Sequence, residues 1–333
     1  MTTRSAKKAD LYGQFDSVLD AVLSGISPVP QVNQKLKTYI DLFCGIGGFH
    51  IAASNLDLKC VFACDIDEEA RKAYSHNFGI NPHGDIIGIA AKNVPDHDLL
   101  CAGFPCQPFS IIGSQKGFSD PRGTLFFEIA RIIKEKQPKA VVLENVRQLA
   151  SVNKGKTLQT IKETLEQLGY YVDFRILNAL DFGVPQKRER VLIVATRRDI
   201  GKFPWPSSVI PMKPLSDILE KNPDQKHFVS GKIKRARKEA HSSEITPSIW
   251  HENKSGNISS HPFSCALRAG ASYNYLLVDG ERRLTPREML RLQGFPDTFE
   301  IVCNDSQTRK QAGNAVPVPM IQSVLESLIN VYR

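Results

Sequence analysis

No stretch of the 333-residue chain approaches the roughly 20 consecutive apolar residues that a membrane helix needs, so no membrane span is expected. The first twenty residues, MTTRSAKKADLYGQFDSVLD, contain no apolar core of the kind a secretory signal carries, and none is expected. Seven cysteines are an odd number, and they form no CxxC pairs. That spacing indicates neither a disulfide framework nor a zinc site, and it fits a reducing cytoplasm. Hydrophobic residues at 41% and charged residues at 23% exclude a wholly disordered or collagen-like chain. What the chain has in excess is positive charge, +8 net, which leans toward a polyanionic partner.

Between Thr38 and Arg198 short apolar runs alternate with amphipathic stretches. The runs at 38–43, 59–65, 98–104, 140–146, 171–177 and 190–197 read as strands. The stretches at 125–136 and 157–169 read as helices. Apolar strands alternating with helices predict an α/β fold with a mostly parallel, doubly wound sheet, its later strands including an antiparallel pair. After Lys202 the rhythm breaks. FPWPSSVIPMKP holds four prolines in twelve residues, and residues 201–283 carry 13 Lys or Arg against 8 Asp or Glu. A second, smaller domain with a basic face is expected there. The terminal VPVPMIQSVLESLINVYR reads as a helix that packs back on the first domain. The division expected is an extension at 1–36, a first domain at 37–200 plus 306–333, and a second at 201–305.

Several residues stand out chemically. Gly45-Ile46-Gly47-Gly48 joins the first strand to a helix, and glycines there let backbone approach a ligand or simply make a tight turn. Asp65 ends the second strand, where a carboxylate can accept from ribose hydroxyls. Asp85-Ile86 can set a carboxylate and an apolar face beside an adenine, or cap a helix. Cys106 lies between Pro105 and Gln107-Pro108 on a stiff loop directly after a strand. Its thiolate is the reactive form. The stretch from Cys106 to about Gly123 reads as a lid. Glu144 closes an apolar strand and points to the ligand crevice. Arg188 and Arg190, two apart, share one face of an extended segment and can hold a phosphate or a carbonyl oxygen, or form a solvated turn. KIKRARK at 232–238 is the densest charge run, suited to phosphate contact or to a solvated face.

In order, DLFCGIGGFH, Asp65, GDI, GFPCQPFS, ENV, QKRER, RRLTPREMLRLQGFPD and QAGNAVPVP resemble the DNA cytosine-5 methyltransferase family. The resemblance extends from Asp41 to about Met320, interrupted by the variable stretch 203–260, and includes the small bacterial modification enzymes of the HhaI kind. It implies a Rossmann-like S-adenosylmethionine-dependent methyltransferase domain and a target-recognition domain. It implies S-adenosylmethionine as cofactor, no metal, and a cofactor site built by Phe43, Gly45, Gly47, Asp65, Ile66, Asp85, Ile86, Pro105, Leu125 and Asn314. Cys106, Glu144, Arg188 and Arg190 would be catalytic. Gln107, Ser110, Lys232, Lys234, Arg235 and Arg237 would contact double-stranded DNA. A bacterial, cytoplasmic, nucleoid-associated monomer is expected, with a restriction endonuclease of the same site as a candidate partner. A tRNA methyltransferase on the same core and a catalytically inactive DNA-binding protein remain the alternatives.

Overall fold

The computed structural model describes residues 35–105, 125–207 and 210–333. Six strands form one sheet: β1 (Thr38–Leu42), β2 (Lys59–Cys64), β3 (Leu99–Gly103), β4 (Ala140–Val146), β5 (Tyr171–Asn178) and β7 (Glu189–Thr196). Their order across the sheet is β2-β1-β3-β4-β7-β5. The pairs β1–β2, β1–β3 and β3–β4 are parallel, and β7 runs antiparallel to both its neighbours. This is the expected α/β sheet with its antiparallel component. Among helices at sequence positions expected to be helical, α3 (Leu125–Lys136) has the predicted bounds, and α4 (Lys156–Gln167) starts one residue earlier and ends two residues earlier than expected.

The central strands are apolar on both faces, as a sheet covered on both sides requires. One set of alternate residues, Ile40, Leu42, Leu100, Ala102, Val141 and Leu143, packs with α3 and α4. The other set, Tyr39, Leu99, Cys101 and Val142, packs with α1 (Gly48–Ser54) and α8 (Val318–Val331). The same apolar cluster continues without a break into Phe203, Trp205, Ile249, Leu276 and Phe295 of the region after Lys202. The terminal helix packs back as expected, with Asn55 Nδ2 donating to Gln322 Oε1 at 2.9 Å.

Beyond Lys202 the elements are short. Helix α5 (Gly231–Ala240) covers the basic run, and β8 (Ile249–Glu252), β9 (Ile258–His261) and β11 (Leu276–Val278) make a three-stranded sheet in the order β11-β8-β9. A two-residue strand, β10 (Ser264–Cys265), pairs in parallel with β6 (Gln186–Lys187), directly before β7. Helices α6 (Pro286–Leu292) and α7 (Asp305–Asn314) lead back toward α8, and α2 (Glu68–Phe78) follows β2. In RRLTPREM, Arg282 forks onto both oxygens of buried Glu288 at 2.8 Å, while Thr285 and Glu288 close a capping box on α6.

At Gly313 the backbone of one region packs closely against that of the other. A Cβ there would fall 2.4 Å from the backbone nitrogen of Ala269 and 2.8 Å from the carbonyl carbon of Arg268. Backbone cannot swing aside as a side chain does, so Gly313→Ala should lower stability by about 1–3 kcal/mol. A urea midpoint equal to wild type, at unchanged slope, would show instead that this contact yields freely.

Candidate active site

The strand order reverses direction between β1 and β3, and ligands in open α/β sheets bind at the carboxyl ends of strands at that switch point. Two segments leave the sheet there. After β1, Phe43, Gly45 and Gly47 all adopt positive φ, and the turn opens into α1. After β3 the chain runs through Phe104 to Pro105. Cys106, Gln107, Ser110 and the expected lid lie outside the described residues, as does the extension before Lys35.

The β1 turn is held by Asp65. One carboxylate oxygen accepts the Gly45 amide at 2.8 Å, and the other accepts the Asp67 amide at 2.8 Å. Burial raises the pKa of Asp65, and these amides oppose the shift. Asp85 is exposed and caps the turn at 86–88 by accepting from the Ile87 amide at 3.1 Å. Ile66 is 73% exposed, whereas Ile86 is buried in the core and its neighbour Ile87 is exposed. Leu125 is half-buried at the start of α3, and Asn314 is exposed at the end of α7. A Cβ at Gly45 or Gly84 would meet nothing within 4 Å, so both glycines border open space. A hydroxyl-bearing nucleoside fits these residues: a carboxylate fixed at the end of β2, an exposed aliphatic side chain beside it, and open space in front of the turn.

Asp41, in β1, is fully buried, and both its oxygens lack a hydrogen-bond partner. Burial, reinforced by Asp65, pushes its pKa well up. It shares the sheet face of Tyr39 and Cys101.

Glu144 lies on that same face, at the far side of β3. It pairs in register with Gly103, and a Cβ on Gly103 would come within 3.6 Å of Glu144 Oε2. Glycine therefore leaves room beside the carboxylate at the point where the chain departs toward Cys106. On the other flank, Arg190 lies opposite Val146 in the antiparallel β4–β7 pair, diagonal to Glu144 on one face. Its Nε meets Glu144 Oε1 at 2.7 Å, with both side chains nearly buried. The next residue, Asn145, points the other way and is also buried. Its Nδ2 donates to the Phe104 carbonyl at 2.9 Å. The ENV segment thus supplies an acid on one face and a tether for the Phe104-Pro105 turn on the other.

The two arginines of QKRER part company. Arg188 is 1% exposed, and its guanidinium donates to the carbonyls of Leu267, Gly313 and Ala315 at 2.9, 3.0 and 2.8 Å. Burial lowers its pKa to about 9, so it remains a cation at neutral pH. The expectation that Arg188 touches substrate is corrected: its two terminal nitrogens bond backbone carbonyls, its Nε is buried without a partner among the described residues, and Arg190 is the arginine beside Glu144. Arg188 grips the chain on both sides of Asn314. Gln186 and Gln293, both fully buried, extend this lock. Gln186 donates to the Leu292 carbonyl and accepts from the Leu267 amide, and Gln293 donates to the Ala312 carbonyl. Sequence reading missed Asn145, Gln186 and Gln293. Their signal was a polar side chain beside or within a run that must be buried.

The basic run requires a second correction. Arg237 is buried, pairs with Glu252 and donates to the Asn274 carbonyl at 3.0 Å. It braces α5 against the small sheet, so it is not available to DNA. Lys234 pairs with Glu281 at 3.0 Å, and Lys238 also bonds that carboxylate. Lys232 and Arg235 are exposed. Among the described residues, no group of His, Cys, Asp and Glu is placed to hold a metal ion, and no helix is long and apolar enough to cross a membrane.

Comparison with known proteins converges on one family. Residues 37–330 match the C-5 cytosine-specific DNA methylase family. The chain is 54% identical over 287 residues to the Type II methyltransferase M.NgoBI of Neisseria gonorrhoeae, covering 85% of this chain and 90% of that protein. It is 51% identical over 294 residues to M.HaeII of Haemophilus aegyptius, covering 87% and 92%. With M.HhaI of Haemophilus parahaemolyticus it shares 39% over 303 residues, covering 86% and 92%. The fold is also that of the Dnmt2 methyltransferase of S. pombe, at a TM-score of 0.70 and 24% identity, covering 88% of this chain and 98% of that one. An acid–arginine pair at the carboxyl ends of the strands, the glycine-lined turn and these relatives together place the chain in the C-5 cytosine-specific DNA methylase family.

Proposed function

We propose that the protein transfers a methyl group from S-adenosylmethionine to C5 of a cytosine turned out of a specific double-stranded DNA sequence, as the modification enzyme of a restriction–modification system. The observation that carries this reading is the Glu144–Arg190 pair beside the Gly103–Pro105 exit. The bound cofactor supplies an electrophilic methyl group on a sulfonium. The protein's own groups supply the rest. Cytosine C5 is too weak a nucleophile unaided. The Cys106 thiolate adds to C6, and the electron pair displaced from the C5–C6 bond makes the ring an enamine at C5. Glu144 holds N3 and the exocyclic amine, which favours the protonated ring. Arg190 fixes the carboxylate, and in this reading its guanidinium contacts the cytosine O2, stabilising charge that develops there. C5 would take the methyl group with its electron pair as the S–CH3 bond breaks, leaving S-adenosylhomocysteine; a base then removes the C5 proton, and the C–S bond to Cys106 breaks with its pair returning to sulfur, restoring the ring. Stacked cytosine hides C6, so the base must leave the duplex first.

Phe43, Gly45, Gly47, Asp65, Ile66, Asp85, Pro105, Leu125 and Asn314 border the cofactor in this reading, with Ile86 supporting them from the core. The region 201–305 chooses the sequence, with Lys232 and Arg235 as phosphate contacts and Gln107 and Ser110 near the flipped base. Such an enzyme works in the bacterial cytoplasm, beside an endonuclease of the same site.

Duplex DNA carrying 5-fluorocytosine tests the reading, because fluorine cannot leave as a proton does. Incubation with cofactor should give a denaturation-resistant adduct that maps to the Cys106 peptide, and unmodified duplex should acquire 5-methylcytosine. Label confined to tRNA, or to N4 of cytosine, would end the proposal.

A further inference from the structure

A cavity of about 170 Å³ opens between α6, α7 and the segment 267–276. Lys226, Arg268, Arg283 and Arg309 line it, with Tyr273 and Tyr275, and Asp305 is the carboxylate among its lining residues. Asp305 is already paired with Lys226 at 3.0 Å. The cavity therefore keeps a surplus of positive charge from three arginines.

Those arginines are set in place by aromatic rings and backbone. Arg309 stacks 4.3 Å from the Tyr273 ring centroid while donating to the carbonyls of Ala271 and Ser272 at 2.7 and 2.6 Å. Arg268 stacks 4.8 Å from the Tyr275 ring, and the Tyr275 hydroxyl accepts from the Arg268 amide at 3.0 Å. Arg283 Nε donates to Asn274 Oδ1 at 2.8 Å. A stacked guanidinium keeps its edge free for an anion, and little rotamer freedom is left to lose on binding.

Both walls are fastened to the active site. The Leu267 carbonyl, one residue before Arg268, is held by Arg188. Arg309 belongs to α7, which ends at Asn314, between two more carbonyls that Arg188 grips. An anion held here is thereby fixed relative to Arg190 and Glu144.

We propose that this cavity binds a backbone phosphate of the substrate DNA, with Arg268 and Arg283 as the contacting cations, Arg268 ordered on Tyr275, and Arg283 and Arg309 on Tyr273. The inference rests on the DNA methyltransferase reading and moves the main phosphate contact away from the run at 232–238, three of whose five cations are spent on protein carboxylates.

The test measures binding of the full-length protein to duplexes with and without the methylated sequence, across a salt series. Loss of one phosphate contact should flatten the dependence of log affinity on log salt by about 1. Arg268→Ala is expected to do so, and to weaken binding about ten-fold on both duplexes, the size of one charged hydrogen bond. Arg283→Ala should behave alike. Lys59→Ala, which removes a charge at the opposite end of the sheet, serves as control and should leave the slope unchanged. The methylated sequence should stay the same in every variant. Unchanged affinity and slope in both arginine variants would overturn the proposal. So would an altered methylated sequence at unchanged slope, which would mean that Arg268 reads a base edge. Wild-type protein that labels no duplex DNA at all would instead overturn the functional reading on which the proposal stands.

Discussion

Glu144→Gln should lower the single-turnover rate of methyl transfer by about 10²–10⁴-fold, the usual worth of a positioned acid–base group, while DNA affinity changes little. Glutamine keeps the shape of the side chain and one accepting oxygen, and puts a donating NH2 where the second acceptor stood. What it loses is the negative charge that pairs with Arg190 at 2.7 Å and would stabilise a protonated cytosine ring. That charge matters most when the ring becomes cationic, so the loss falls on the rate and not on binding. Arg190→Ala should reproduce most of the defect, because Glu144 Oε1 then loses the cation that fixes it. The double variant should be little worse than either single one, since groups that act as a unit give strongly non-additive losses. A Glu144→Gln enzyme within about three-fold of wild type would remove Glu144 from the chemistry. Fully additive losses would mean that Arg190 acts elsewhere.

The parts of this site differ in how openly the sequence displays them. The sheet was legible because each central strand is apolar on both faces, which leaves polar residues such as Glu144 and Asp65 conspicuous where the strands end. The region after Lys202 was not, because strands of three or four residues, such as β8 and β11, are too short to show a period. Helix α5 was read as a charge run, for its residues are mostly good helix formers but mostly exposed ones. Its Ser230 cap, which accepts from the Ile233 amide, is a weak sign beside so many lysines. Arg237 cannot be told from Arg235 without knowing that Glu252 lies across from one of them. The same holds for Arg188 and Arg190. Alternation puts both on one side of an extended chain, but their fates are set by partners far away in sequence. Glu144 lies 46 residues before one, and the carbonyls of Gly313 and Ala315 lie 125 and 127 residues after the other. Spacing reports which face a residue takes, and burial of a distant segment decides what it finds there.

Arg188→Met tests that distant segment. Methionine fills much of the aliphatic volume but removes the cation and its donors, leaving the carbonyls of Leu267, Gly313 and Ala315 buried with a partner gone. Each buried carbonyl left without a partner costs about 1–3 kcal/mol. Relief of the buried guanidinium's own desolvation offsets part of that sum. The net loss should be about 3–5 kcal/mol, in the range seen when a buried charged network is broken. Arg188→Lys should recover less than half, because an ammonium cannot present a planar fork to three carbonyls at once. The stability loss alone would suit any buried arginine. The distinguishing measurement is binding of S-adenosylhomocysteine to the folded Arg188→Lys protein. Gly313 and Ala315 flank Asn314, so slackening both should weaken cofactor-product binding about ten-fold or more. The Glu144–Arg190 pair, fixed by the pairing of β7 with β4 and β5 and not by Gly313 or Ala315, should stay formed. Once cofactor is saturating, the methyl-transfer rate should return to within a few-fold of wild type. If Arg188→Lys binds the cofactor product as tightly as wild type while losing stability, the arginine merely holds the two regions together. If it loses the transfer rate at saturating cofactor, Arg188 acts on the reacting cytosine despite its burial.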